Sequence, residues 1–446
     1  MKESRVNFKL AALVAFVLAL SLANFYRAVD FEYADYDGFQ YLSFSRSILS
    51  GSGLYLNTIR SPVLAVLIPL ELNLARLGMI AFHLVNTALI FAIVKKLTKN
   101  ESAALFSAFL YGTNWWMITF LIGTLSDLPA MAFFLASLLF WTSGSRKGMI
   151  YSAILAGFAF IARFDTIFLL LPLMAFTAKQ HRQEYAAYFL SIALIFETAT
   201  SWLAFGTFVY PPLEFLKFNF VDGTAFKLAG EGGFSIFGKF LELSPLLALL
   251  FIASLQKIRD AGYRNILFIT LSASVMFALL PVPDYRIFMV KLIPLTAMLS
   301  AYALLAISEK ITVKLPLLTI LAGSIYLIYN AVLLASVQYP VWKLSDTPCD
   351  MENICTNAPP IVNYFCGKPA RDIHQSGSRH VNTDELNRTE VVLGNLHVCD
   401  HLVYYNVSFD YDREIDRLIG GRYGLENETP FALVYDLSTW KTGNPA

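Results

Sequence analysis

The sequence contains little charge. Only 15% of its 446 residues are charged, whereas 56% are hydrophobic and the mean hydropathy is +0.55, which excludes an ordinary soluble globular protein. The sequence contains no clear phosphate-binding glycine loop, nucleophile elbow or basic nucleic-acid-binding patch. The sequence therefore offers no sign of a P-loop NTPase, a serine hydrolase or a nucleic-acid-binding protein.

Cysteine is absent before residue 349, and the tail after Gln338 differs from the rest of the chain. The tail holds all four cysteines, 15 of the 33 acidic residues and 9 of the 34 Lys and Arg. Cysteines confined to one exported segment favour up to two disulfides. Three glycosylation sequons in the tail begin at Asn387, Asn406 and Asn427. Together these features predict an extracytoplasmic domain over residues 338–446.

The tail has the pattern of a small mixed α/β domain. Short alternating segments, separated by Gly, Asn and Pro, begin at Val391, Leu402 and Phe431. In a strand, His397, Cys399 and His401 would share one face and offer zinc ligands. Disulfide pairing is the favoured interpretation, because no Cys-x-x-Cys accompanies them.

Apolar segments long enough to cross a bilayer recur between Phe8 and Ser336. Basic residues precede the first segment, so we expect a retained signal anchor with a cytoplasmic N-terminus. Residues 149–178 would form a helix of about 45 Å, too long for one span, and two short helices meeting at Arg163 fit better. The total is about eleven spans, and this odd number places the tail outside.

We therefore expect an all-α polytopic membrane protein over residues 1–337, followed by the small α/β domain. The cell membrane, or the endoplasmic reticulum membrane in a eukaryote, is the expected location. Charged residues collect at the predicted outer helix ends and in the first external loop, residues 27–62. They are Asp35, Asp37, Arg46, Arg60, Asp127, Arg163, Asp165, Asp284 and Arg286.

Acids alternating with arginines at one membrane face suit chemistry on an anionic lipid headgroup. Each member also has a plainer explanation. Asp37 is a candidate general base, but it is equally a solvated acid or a helix N-cap. Asp127 before Pro129 fits an N-cap as well as a catalytic residue. Arg163 and Arg286 fit interface snorkelling or pairing with a nearby acid.

Asp37-x-x-x-Tyr41, followed by Arg60-Ser-Pro62, resembles the first external loop of membrane glycosyltransferases of the GT-C fold. The resemblance is to the protein O-mannosyltransferase and aminoarabinose-transferase branch, and it covers most of residues 1–310. Three further motifs resemble that branch in the same order: Thr124-Leu-Ser-Asp127-Leu-Pro129, Ala156-Gly-Phe-Ala-Phe-Ile-Ala-Arg163, and Tyr285-Arg286 followed by Pro294. Gly38 departs from the pattern, since that branch often has an acid there.

The resemblance implies transfer of a hexose or pentose from a polyprenyl-phosphate-linked donor to an acceptor hydroxyl, with inversion. The acceptor is a protein, a lipid or a glycan on the extracytoplasmic side. Asp37 would be the general base, and Asp127 would orient a sugar or bind a divalent cation such as Mg²⁺ or Mn²⁺. Arg60, Arg163 and Arg286 would hold the donor phosphate and stabilise the charge that grows on it as the leaving group departs. Asp35 and Tyr41 would be further substrate contacts.

Two other functional classes remain open on sequence grounds. A secondary transporter or a lipid or glycolipid flippase also uses charges near broken helices, but it predicts charges near the bilayer midplane and related halves. A receptor-like protein would use its helices only as an anchor for the tail. Eleven spans with external Arg and Asp at their ends are more than an anchor needs.

Overall fold

The structure is a computed structural model that describes most of the chain in thirteen segments. They are residues 3–32, 36–51, 60–63, 71–123, 126–217, 235–278, 285–311, 314–339, 343–347, 349–376, 379–380, 388–406 and 412–438. The chain divides into two units, each described here by itself. The helical unit is Met1–Arg27, Ala75–Thr200 and Glu231–Gln338. The mixed unit is Ala28–Leu74, Ser201–Gly230 and Tyr339–Ala446.

The α-helices of the described residues follow from long apolar runs broken by Pro, Gly and polar residues. In chain order they are α1 (Glu3–Arg27), α2 (Tyr36–Ser50), α3 (Leu72–Thr98), α4 (Glu101–Gly112), α5 (Trp115–Phe120), α6 (Asp127–Trp141), α7 (Arg146–Ala162), α8 (Ile167–Ala175), α9 (Arg182–Leu190), α10 (Glu197–Phe205), α11 (Pro211–Leu216), α12 (Ser235–Leu243), α13 (Pro245–Ser254), α14 (Ala261–Ala278), α15 (Tyr285–Ile311), α16 (Leu315–Ser336), α17 (Pro359–Cys366), α18 (Arg388–Leu396) and α19 (Arg413–Gly420). A π-helical segment, Ser191–Phe196, joins α9 to α10.

Five helical segments of the described chain are long and apolar enough to cross a membrane. They are Phe8–Arg27, Leu72–Thr98, Lys179–Phe205, Phe288–Lys310 and Leu315–Ser336. The count rises to seven if each of two bent helix pairs is one span. The first pair is α4 with α5 and the turn that extends α5 to Gly123, bent by 47°, and the second is α12 with α13, bent by 112°. Shorter helices such as α6 span only about 22 Å at 1.5 Å per residue. The prediction of about eleven spans therefore stays a prediction.

The helix break predicted at Arg163 is present. Helix α7 ends at Ala162, and Arg163 adopts an extended backbone with φ −156° and ψ 110° before a short 3₁₀ turn, Phe164–Thr166. The Thr166 hydroxyl donates to the carbonyl of Arg163 at 2.7 Å and to that of Ala159 at 3.0 Å. These bonds satisfy carbonyl groups that the end of the helix leaves open.

A second break, between α4 and α5, is stabilised by two asparagines. The side-chain oxygen of Asn114 accepts from the backbone N–H of Met117 at 3.1 Å, and its amide donates to the Tyr326 hydroxyl at 2.8 Å. The backbone N–H of Trp115 donates to Asn330 of α16 at 2.8 Å. Backbone groups freed by a bend inside a membrane protein need such partners, because lipid supplies none.

The mixed unit contains a five-stranded sheet in the order β2-β1-β5-β7-β6. Its strands are β1 (Ile354–Thr356), β2 (Arg371–Asp372), β5 (His401–Tyr405), β6 (Gly424–Glu428) and β7 (Ala432–Asp436), and β3 (Gln375–Ser376) pairs with β4 (Arg379–His380) in a separate ladder. Strand β1 is parallel to β2 and β5, whereas β7 is antiparallel to β5 and β6. The sheet and its helices confirm the predicted α/β tail.

The three alternating segments of the tail do not all form strands. The segments near Leu402 and Phe431 correspond to β5 and β7, whereas the segment at Val391 lies in helix α18. Val392 and Leu396 are four residues apart, and both are buried in the core of the mixed unit. That spacing puts them on one face of a helix, and it outweighs the short β-branched run.

The four cysteines form two disulfides, Cys349–Cys366 and Cys355–Cys399. This confirms the disulfide interpretation. Cys399 has no thiolate to offer zinc, and it precedes strand β5, so the strand face proposed for His397, Cys399 and His401 does not form. Cys366 is the last residue of α17, and its disulfide fixes the end of that helix.

We expect peptide mapping of the unreduced protein to recover Cys349 linked to Cys366 and Cys355 linked to Cys399. The serine double variant of either pair should lose about 3 to 4 kcal/mol of mixed-unit stability, because loops of 17 and 44 residues are no longer closed. Urea-dependent proteolysis of full-length protein measures this loss. Recovery of a Cys349–Cys355 peptide would contradict the pairing.

Candidate active site

The first cluster of candidate residues surrounds Arg60 in the mixed unit. Arg60 Nη2 donates to Asp37 Oδ1 at 2.9 Å and to Gln40 Oε1 at 3.0 Å. Its Nη1 donates to the Tyr41 hydroxyl at 2.9 Å, and the guanidinium carbon lies 4.8 Å from the centre of the Tyr41 ring. Three of the predicted site residues, Asp37, Tyr41 and Arg60, are thus brought together.

Helix α2 explains why one arginine reaches all three partners. Asp37 lies in the first turn of α2, and Gln40 and Tyr41 follow it by three and four residues, on the same helix face. The Arg60 side chain is 12% exposed, whereas that of Asp37 is 34% exposed. The guanidinium is therefore fixed among its partners, and the carboxylate keeps access to solvent.

Helix α2 is held by α17 of the disulfide-bonded domain. Ser43 donates to the carbonyl of Pro360 at 2.7 Å, and the backbone N–H of Leu72 donates to the Tyr364 hydroxyl at 2.9 Å. The Arg46 guanidinium lies 4.7 Å from the centre of the Tyr364 ring and donates to the Tyr364 carbonyl. Burial raises the pKa of the Tyr364 phenol, which keeps this hydroxyl uncharged. Arg46 therefore stabilises packing within the mixed unit.

The second cluster lies in the helical unit and consists of two acids and two bases. Lys291 Nζ is 3.0 Å from Asp127 Oδ1 and 3.0 Å from Asp165 Oδ2. Arg163 Nε is 3.3 Å and 3.6 Å from the same two oxygens. Asp127 is fully buried and Lys291 is 1% exposed. The formal charges of the four side chains cancel.

The interpretation of Asp127 as a helix N-cap is wrong. Asp127 is the first residue of α6, Ser126 is the N-cap, and no side-chain capping hydrogen bond is formed there. The Ser126 hydroxyl instead accepts from Arg163 Nη1 at 3.4 Å. Arg163 pairs with Asp165, as the ion-pair interpretation of its sequence position proposed. Arg163 also pairs with Asp127.

Lys291 and Gln40 are the members that sequence reasoning missed. Lys291 lies within the apolar helix α15, five residues after Arg286, and a lysine inside a membrane-spanning helix is itself a signal of function or of a buried partner. Arg286 lies in the first turn of α15, but its side chain is outside the described residues, as are Asp35 and Asp284. The roles predicted for these three residues stay predictions.

Residues 13–344 match the sequence profile of the Alg9-like mannosyltransferase family, which is well over half of the chain. The chain belongs to the Alg9-like mannosyltransferase family. A search of curated proteins finds no match. Among solved structures, the crystal structure of ArnT from Cupriavidus metallidurans in the apo state matches with a TM-score of 0.64 and 11% sequence identity, over 98% of this chain and 99% of that chain. At this identity the likeness shows the fold alone.

Family membership confirms that this protein is a membrane glycosyltransferase of the GT-C fold. The resemblance to GT-C glycosyltransferases that the motifs suggested is therefore confirmed. The transporter, flippase and receptor alternatives lose their support. The individual roles of the site residues remain predictions, and the two clusters are the residues on which to test them.

Replacing Tyr364 by Ala should destabilise the mixed unit by about 3 to 5 kcal/mol, because the buried ring under Arg46 is lost. Tyr364→Phe keeps the ring and removes only the hydroxyl that accepts from Leu72, so its cost should be about 1 kcal/mol. Urea-dependent proteolysis of the full-length protein measures both. Equal stability of Tyr364→Ala and wild type would show that α17 does not hold α2.

Proposed function

We propose that this glycosyltransferase moves a hexose, mannose by the name of its family, from a polyprenyl-phosphate-linked donor to a hydroxyl of a protein, lipid or glycan. The reaction takes place on the extracytoplasmic face and inverts the anomeric carbon. The observation that carries the proposal is the Asp37 carboxylate, fixed by Arg60 at the start of α2 and still open to solvent.

In the proposed step, the acceptor oxygen attacks the anomeric carbon from the side opposite the phosphate. The bond from that carbon to the phosphate oxygen breaks, and its electron pair leaves with the polyprenyl phosphate. The proton of the acceptor hydroxyl passes to the Asp37 carboxylate. One bond forms and one breaks at the carbon, so a single displacement accounts for inversion.

Asp37 has the features that a general base needs. A base must come within hydrogen-bond reach of the hydroxyl that it deprotonates, and its solvent exposure permits that approach. Arg60 donates to one oxygen of the Asp37 carboxylate, and this hydrogen bond orients the group.

The disulfide-bonded domain supports an extracytoplasmic location for this chemistry. Disulfides persist in oxidising compartments and are rare in the cytosol. Helix α2, which carries Asp37, packs on α17, whose last residue forms the Cys349–Cys366 disulfide. Asp37 and that disulfide belong to the same unit, so an exported disulfide domain brings Asp37 with it.

The arginines divide into two groups in this proposal. Arg163 faces two carboxylates, and its charge is already balanced within the second cluster, so we assign it to positioning Asp127. Arg60 orients Asp37 and adds positive charge beside it. Arg286 is left as the principal ligand of the donor phosphate, where a fixed cation stabilises the charge that grows on the leaving group. Asp127 then orients the donor or acceptor sugar.

We expect Asp37→Asn to lower the transfer rate by about 10² to 10⁴, because the base is lost while the side-chain shape is kept. The assay follows radiolabelled sugar from polyprenyl-phosphate mannose in purified membranes, with polyprenyl-phosphate aminoarabinose as a second donor. Asp30→Asn is the matched control, since Asp30 is an exposed acid seven residues earlier, and it should transfer at the wild-type rate.

Wild-type transfer by folded Asp37→Asn protein would remove Asp37 as the base. Transfer from the aminoarabinose donor and none from the mannose donor would overturn the proposed sugar and leave the mechanism standing. Failure of wild type with both donors, and with an added panel of hexosyl and pentosyl polyprenyl phosphates, would overturn the proposed donor class.

Arg286→Ala should raise the KM for the donor at least tenfold and leave acceptor preference unchanged, because a phosphate contact belongs to the donor alone. Arg286→Lys keeps the charge and should recover part of the donor affinity. The measurement is a donor and acceptor titration on the same membranes. Equal changes in both KM values would argue against a phosphate role.

A further inference from the structure

Two buried carboxylates face each other across a lysine in the second cluster. Lys291 Nζ contacts Asp127 Oδ1 and Asp165 Oδ2 at the same distance, 3.0 Å. The ammonium therefore bridges one oxygen of each carboxylate. We propose that the Lys291 ammonium is a built-in cation that holds the place of a divalent ion between Asp127 and Asp165 and positions both carboxylates.

The described residues around Lys291 do not fit a divalent ion. Mg²⁺ requires near-octahedral oxygen ligands at about 2.0 to 2.1 Å, and it usually keeps several waters. The two oxygens are already shared by the Lys291 ammonium and the Arg163 guanidinium. Within the described part of the chain, no group of three or more His, Cys, Asp and Glu side chains is arranged to hold a metal.

The position of Lys291 argues for an assembled site. Its two partners come from α6 and from the 3₁₀ turn that follows the break after α7. Lys291 is 1% exposed, and a buried ammonium is tolerated only where carboxylates compensate it. Removing one side of such a pair leaves an uncompensated buried charge, so the ion pairs hold the four groups together.

A fixed ammonium differs from a metal ion in a way that can be measured. It cannot be removed by a chelator, and its positive charge opposes the binding of a divalent ion between the two carboxylates. If Lys291 is replaced by a neutral side chain of similar length, Asp127 and Asp165 are left as two adjacent acids with one remaining cation. Two carboxylates with added water are a weak site for Mn²⁺.

The test uses Mn²⁺ binding to the purified full-length protein, followed by electron paramagnetic resonance. We expect wild type and Lys291→Arg to show only weak background binding. Lys291→Met should gain about one equivalent of Mn²⁺ with an affinity at least tenfold above that background. The double variant Lys291→Met/Asp165→Asn should lose the added site, because one of its two carboxylates is removed.

No gain of Mn²⁺ by folded Lys291→Met protein would overturn the proposal. If Lys291→Met does not fold, Mn²⁺ binding by wild type and by Asp165→Asn tests the proposal. A wild-type Mn²⁺ site that Asp165→Asn abolishes would overturn it, whereas identical background binding in wild type and Asp165→Asn would support it. These binding measurements need no glycosyl transfer, so they stand even if the proposed function fails.

A second wild-type measurement rests on the proposed function. Transfer should keep at least 90% of its rate after prolonged treatment with EDTA, since the cation that positions Asp127 belongs to the chain. A contrary result has two parts. EDTA would abolish transfer and Mn²⁺ would restore it in wild type, and Asp165→Asn would need a higher Mn²⁺ concentration for the same recovery. That result would show that a metal ion binds this pair of acids.

Discussion

The cost of an unpaired charge in an apolar interior governs the arrangement of both clusters. In the helical unit, Asp127 and Lys291 are almost completely buried, and each meets an opposite charge at 3.0 Å. In the mixed unit, Arg60 is mostly buried and distributes its donors over a carboxylate, an amide and a phenol. Lys291 or Arg60 without these partners would be an unpaired charge in an apolar interior, which is energetically costly. Charge pairing therefore fixes the catalytic candidates more firmly than helix packing alone would.

The second constraint is the dependence of α2 on the disulfide-bonded domain. Ser43 of α2 donates to the carbonyl of Pro360, and Arg46 of α2 contacts the carbonyl and the ring of Tyr364 in α17. The Cys349–Cys366 disulfide fixes the end of α17. The tail thus acts as a structural support for the helix that carries Asp37.

Much of the candidate site could be read from the residue pattern, because acids and arginines at helix ends are rare in an apolar chain. Asp37, Tyr41 and Arg60 form one cluster, as the Asp-x-x-x-Tyr spacing suggested, and the break at Arg163 followed from a stretch too long to be one span. Lys291 was overlooked because its sequence neighbours are apolar and give it no motif. The alternating segment at Val391 is helical, because Val392 and Leu396 are spaced to share one helix face.

By itself the sequence determined the membrane class, the acidic disulfide-bonded tail and the identity of most charged candidates, because hydropathy, cysteine location and charge are properties of local composition. Tertiary structure alone decided which charges meet. Asp127 and Lys291 are 164 residues apart in the chain, and Arg46 and Tyr364 are 318 apart. No local pattern encodes such pairings, since they depend on how separate helices pack and on which buried groups must neutralise one another.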